Sequence, residues 1–169
     1  MNVANDFRAR MIIRTYKFGN WVFYKTKNRI LKRLLSVVYK FLDKTIQLIF
    51  GTEVPAKTRI GANVVLAHGG QGIIISPSSV IKDNVIIYHQ VTIGGLGLGH
   101  LVGDGYMNKN KSGAPVIGNN VFIGTGAKIL GPVKVGDGAK IGANAVVTKD
   151  VPANSTAVGI PAKILNINS

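Results

Sequence analysis

The chain has few side chains able to move a proton near neutral pH. Its 169 residues include three histidines, His68, His89 and His100, and no cysteine. Without cysteine there is no thiolate nucleophile, no disulfide framework and no cysteine-ligated metal. His68 stands in "NVVLAHGGQGIII", between an apolar run and a glycine pair. An imidazole there can take a proton from a hydroxyl in a transition state and hand it on afterwards. A zinc site would need three well-placed ligands, and no close histidine pair is present, so no metal is expected.

What positions His68 is a six-residue period beyond Gly51. Aliphatic residues recur at Ile60 and Leu66, then at Ile75, Ile81, Ile87 and Ile93, and again at Ile117, Ile123, Ile129, Val135, Ile141 and Val147. Two places before them stand mostly small or β-branched residues such as Thr58, Ser79, Val85, Val121, Ala127 and Ala145. Glycine follows at 61, 94, 118, 124, 136 and 142. A period of six is neither helical nor that of a hairpin array. It predicts a parallel β-solenoid of short strands, three hexads to a coil, with the aliphatic residue on the coil axis, the small residue at the tight corner, and glycine or asparagine relieving the turn. The register slips twice. Three extra residues enter at "HGGQG", and a long Gly-, Asn- and Lys-rich excursion, 94–114, separates Ile93 from Ile117. Long loops in compact repeats are usually functional or disordered.

The first fifty residues are of another kind. They hold eleven Lys or Arg against Asp6 and Asp43, and nine of the twelve aromatics, within a chain of net charge +14. From Arg29 to Phe50 apolar residues recur at three- and four-residue steps, which predicts an amphipathic helix stopping at Gly51. Phe7–Tyr24 predicts a shorter helix or two, broken near Gly19–Asn20. Neither stretch is apolar enough to span a bilayer, and Arg8, Arg10, Arg14 and Lys17 interrupt any signal-peptide pattern. These helices either pack on the main domain or another subunit, or lie on an anionic membrane surface. Charge without a base-reading motif argues against nucleic acid. The domains expected are a basic helical segment 1–51, a solenoid 52–164 and a tail 165–169.

"HGGQGIII", "VTIGG", "IGTGAKILGPVKVGDGAKIGANAVVTKDVP" and "GIPAKI" together resemble the hexapeptide-repeat acyltransferases, and within them the serine-acetyltransferase-like branch. The resemblance covers roughly Glu53 to Ile164. It implies a left-handed parallel β-helix, a homotrimer, and acetyl-CoA as cosubstrate in the groove between neighbouring subunits. It makes His68 the catalytic base and Glu53 the acid that fixes its tautomer, with direct attack of a hydroxyl on the thioester. It assigns Thr125, Ala143, Thr148, Lys149 and Lys163 to the cofactor, the lysines meeting its phosphates. His89 is a lesser candidate for contact with the acceptor, as is His100 beside Asp104 and Tyr106 in the excursion. The gamma-class carbonic anhydrases also bind zinc on a β-helix, but their close histidine pair is missing here. Retention of His68, Glu53 and the "VVTKD" and "GIPAK" motifs argues against a scaffold that has lost its activity.

The chain departs from the branch at three positions. An Asp normally precedes the catalytic histidine, and here Ala67 does. An Arg-His pair normally precedes the proline that reopens the repeat, and here Gly113 and Ala114 do. Those charges would hold a zwitterionic acceptor, so their loss favours a sugar hydroxyl, in a bacterial surface polysaccharide or its lipid-linked precursor. Serine, or another small hydroxylated molecule, is the alternative acceptor. The expected location is cytoplasmic, peripheral to the inner face of the membrane.

Overall fold

Two helices lead into a solenoid in the computed structural model, which describes residues 6–95 and 113–165. Helix α1 spans Phe7–Lys25 and α2 spans Arg29–Phe50. Each starts at a capping side chain. Asp6 accepts from the Arg8 amide at 2.8 Å, and Asn28 accepts from the amides of Ile30 and Leu31 at 3.0 Å, satisfying amides that no helical carbonyl reaches. Gly51 ends α2 in the left-handed region (φ 61°), its amide donating to the Gln47 carbonyl, as a C-terminal glycine should. α1 is continuous through Gly19. That glycine is a point of contact and not a break: a Cβ there would run into the Tyr39 ring of α2.

The solenoid that follows is a left-handed parallel β-helix with three faces. On the first lie β1 (Arg59–Ile60), β4 (Val80–Ile81), β7 (Val116–Ile117) and β10 (Lys134–Val135). The second carries β2 (Val65–Leu66), β5 (Ile86–Ile87), β8 (Phe122–Ile123), β11 (Lys140–Ile141) and β13 (Thr156–Val158). The third carries β3 (Ile74–Ile75), β6 (Thr92–Gly94), β9 (Lys128–Leu130) and β12 (Val146–Val147). Aliphatic residues pair in register up each face, as in Ile87 with Ile123 and Ile123 with Ile141. All from Leu66 to Val147 are at most 2% exposed. The small residues two places earlier also face inward, Thr58, Val85, Val91, Ala127, Ala139 and Ala145 being fully buried.

Glycine and asparagine divide the corner work differently from the sequence expectation. The glycine directly after the aliphatic residue makes room: a Cβ on Gly124 would stand 2.7 Å from the Ala143 amide nitrogen of the next coil. The left-handed residue comes two places later, at Asn84, Gln90, Asn120, Asn144 and Gly126, where Asn and Gly are the residues that tolerate it. On the corner between first and second faces these asparagines form a ladder, Asn63 donating to Asn84 and Asn84 to Asn120.

Both ends of the solenoid are covered. At the first coil, the Tyr16 hydroxyl donates to the Thr58 carbonyl at 3.0 Å and accepts from the Ile60 amide at 3.3 Å. The Asn20 amide donates to the Ala56 carbonyl, and the Tyr39 hydroxyl accepts from the Ala56 amide. Side chains of α1 and α2 thereby satisfy backbone groups that the first coil leaves without a neighbouring strand. At the far end β14 (Lys163–Leu165) turns back antiparallel on β13, a closure that the hexad pattern does not announce.

Candidate active site

The corner between the second and third faces gathers the chemistry. Each coil passes it two residues beyond its aliphatic position, which stacks His68, His89, Thr125 and Ala143 in one column. Backbone bonds tie the rungs: the Gly126 amide donates to the His89 carbonyl at 3.0 Å, and Asn144 to Thr125 at 2.8 Å.

His68 differs from its column mates because of the extra residues. They form a 3₁₀ turn, Ala67–Gly70, in which His68 takes a left-handed conformation (φ 53°, ψ 39°). Its flanking residues Ala67 and Gly69 are buried while His68 itself is exposed. The insertion therefore lifts the imidazole out of the coil and sets it over the next one. There its ring lies 5.1 Å from that of His89, edge to face, and 5.4 Å from that of Tyr88. Tyr88 in turn meets Phe122 at 5.2 Å. The His89 Nδ1 is buried without a hydrogen-bond partner among the described residues, an orphaned polar atom beside the exposed imidazole. On the other side of the turn, the Arg8 guanidinium packs over Gly69, where a Cβ would stand 2.6 Å from its Nε. Sequence reasoning missed Tyr88, Phe122 and Arg8. The two aromatics had a signal, as large outward residues on an aliphatic face, but nothing local links Arg8 to position 69.

Glu53 lies on the strand row before β3, bridged to Ile74, with its amide donating to the Ile73 carbonyl at 2.8 Å. Its negative charge is felt near the end of α2, where it adds to the burial that makes Tyr39 and Asp43 weaker acids. No hydrogen bond joins it to His68 among the described residues. Thr125 and Ala143 share the His68 edge. Thr148 and Lys149 stand on the next corner, between third and first faces, and Lys163 on the terminal hairpin. His100, Asp104 and Tyr106 lie outside the described residues. A cleft of about 460 Å³ between α1 and the Gly61–Val64 corner contains no histidine or carboxylate.

Burial raises the Asp43 carboxyl above the usual carboxylate range, against bonds from Tyr39 and Gln47 that lower it. Burial likewise pushes the Tyr39 hydroxyl up to about 12. A carboxyl raised in the folded state stabilises the fold only while protonated, and that contribution is lost as pH rises through the folded value. Asp43→Asn is therefore expected to raise the melting temperature at pH 7, with the gain vanishing as pH falls toward the unfolded carboxylate value. Thermal melts across pH check this.

The coils and their corner column define a transferase of the hexapeptide-repeat class, and the model for bacterial transferase hexapeptide repeats matches residues 114–149. Over 142 residues the chain is 39% identical to a serine acetyltransferase of Helicobacter pylori, covering 84% of this chain and 77% of that one. It superposes on soybean serine acetyltransferase complexed with serine at a TM-score of 0.74 and 30% identity, covering 95% of this chain and 58% of that one. A Brucella abortus serine acetyltransferase in complex with coenzyme A matches at a TM-score of 0.73 and 32% identity, covering 94% and 56%. The chain thus belongs to the serine acetyltransferase family, and spans little more than half the length of those two solved relatives.

This overturns the expected sugar acceptor, in a surface polysaccharide or otherwise, because the relatives matched along most of the chain are serine acetyltransferases. The structure shows why the missing charges misled. Ala67 is 0% exposed, so a carboxylate there would be buried. A Cβ on Gly113 would stand 2.7 Å from the Pro132 ring, and Ala114 lies against Gly95. Each of the three positions has a close neighbour or is buried within the fold, so its lack of charge has a packing explanation as well as one from the acceptor.

Proposed function

We propose that the chain is an acetyl-CoA-dependent serine O-acetyltransferase with His68 as general base. The carrying observation is the placement of His68, lifted by the inserted turn to the open edge of a β-helix that is 39% identical to a serine acetyltransferase. His68 takes the proton of the serine hydroxyl as its oxygen attacks the thioester carbonyl, then returns it to the departing thiolate. No covalent acyl-enzyme is needed. Glu53 supports the imidazolium through the turn it flanks, and His89 steadies the His68 ring. Thr125 and Ala143 offer backbone groups to the pantetheine arm, while Thr148, Lys149 and Lys163 serve its nucleotide end. A homotrimer with the groove between neighbouring chains accounts for the separation of these two sets. Outward aliphatic and aromatic residues on two faces, Ile74 at 46% and Phe122 at 37% exposed, offer it contact area.

The test is thiol release from acetyl-CoA with and without L-serine. Serine-dependent release, with O-acetylserine as product, is expected. A folded protein that turns over no serine would overturn the reading.

A further inference from the structure

The inserted turn and the coils leave a broad apolar surface on α2 unused. α2 buries only Ile46 fully. Ile30, Leu34, Val37, Phe41 and Leu48 are 63–88% exposed, at three-, four- and seven-residue steps along one side of the helix. Val38 and Ile49, at 50% and 59%, widen the stripe toward the body of the protein. The helix is about 33 Å long at 1.5 Å per residue, and the stripe is too broad for the narrow seam of a coiled coil.

What covers it follows from the charges. Arg29, Arg33, Lys40 and Lys44 line the outer edge of the stripe, one place before Ile30, Leu34, Phe41 and Thr45. The described acids of the two helices are already engaged: Asp6 pairs with Arg8 at 3.0 Å, and Asp43 accepts from Gln47 on the inner side. A second copy would bring the same cations and no counter-charge to this face. α1 adds exposed aromatics, with Phe7, Trp21 and Tyr24 at 49–65%, beside Arg10, Arg14, Lys17 and Lys25. Aromatic and aliphatic residues below a rim of lysine and arginine, without acids, suit the boundary between headgroups and acyl chains of an anionic bilayer. Among the described residues no helix is long and apolar enough to cross a membrane. We infer that α2 lies on an anionic phospholipid surface, its apolar stripe inserted and its basic edge at the headgroups, so that the enzyme works while attached to a membrane.

The test is sedimentation of the full chain with vesicles of phosphatidylcholine alone or with phosphatidylglycerol. It compares wild type with a charge-neutral variant, Leu34→Ser/Phe41→Ser/Leu48→Ser, whose fold is checked by circular dichroism and whose solution mass is checked by light scattering. Expected are at least tenfold tighter binding to the anionic vesicles, at least a tenfold loss in the variant, and equal mass for the two proteins. Equal vesicle binding by both would mean that charge alone holds the protein, and would overturn the inserted stripe. Absent binding, or a lower mass for the variant, would overturn the lipid in favour of a second copy. Serine turnover without vesicles is scored separately, so its failure does not touch this result.

Discussion

Replacing His68 with asparagine lowers kcat for acetyl transfer to serine by about 10²- to 10⁴-fold, the range for loss of a general base, and leaves the affinity for coenzyme A unchanged. Asparagine is the informative variant. His68 stands at φ 53°, a conformation that asparagine tolerates and that costs most other residues roughly 1–2 kcal/mol. His68→Ala would mix loss of the base with strain in the turn that presents it. With asparagine the 3₁₀ turn keeps its shape and only the proton acceptor is lost. Steady-state thiol release gives kcat, and calorimetric titration of coenzyme A reports the groove. A rate within tenfold of wild type would remove His68 from the chemistry.

The largest effect on stability is expected at the axis. Ile123→Ala should cost about 2–5 kcal/mol, the range for aliphatic-to-alanine changes in packed cores. Ile123 is 0% exposed and lies between Ile87 and Ile141 on the second face. A solenoid has no second core to redistribute the loss, since each coil touches only its neighbours. The cavity would open under the Tyr88 rung, whose amide donates to the Ile123 carbonyl at 3.0 Å, so activity should fall with stability. Urea unfolding reads the change as a lower midpoint at unchanged slope. The outward neighbour Phe122, 37% exposed, serves as the control: Phe122→Ala should shift the midpoint far less. Equal shifts would mean that the axis is not the core.

The solenoid was legible because its signal is periodic. A residue facing the coil axis recurs every six places whatever lies between, so Ile75 through Val147 could be read without knowing any contact. His68 was legible for the opposite reason: three residues break that period where a titratable ring stands. The closing hairpin was not legible, because β14 pairs once and antiparallel and repeats nothing. Gly19 was misread because its propensity is local, while the Tyr39 ring that demands it comes from another helix. Ala67, Gly113 and Ala114 were misread because absence of charge looks the same in sequence whether it reflects the acceptor or a packed neighbour. The outward aromatics and Arg8 needed the coils stacked before they could be seen to meet.

Both departures from the six-residue period fall at corners, and the ladders on either side do not register them: Ile60 meets Ile81 across the three-residue turn as cleanly as Ile117 meets Val135 where nothing is inserted. The scaffold counts coils and not residues. The ladder thus takes a turn of extra residues at a corner without a change of register, and what holds this turn to its own coil lies outside the ladder: Arg8 over Gly69, the Thr52 hydroxyl donating to the Gly70 carbonyl, and the Gly72 amide donating to the Phe50 carbonyl.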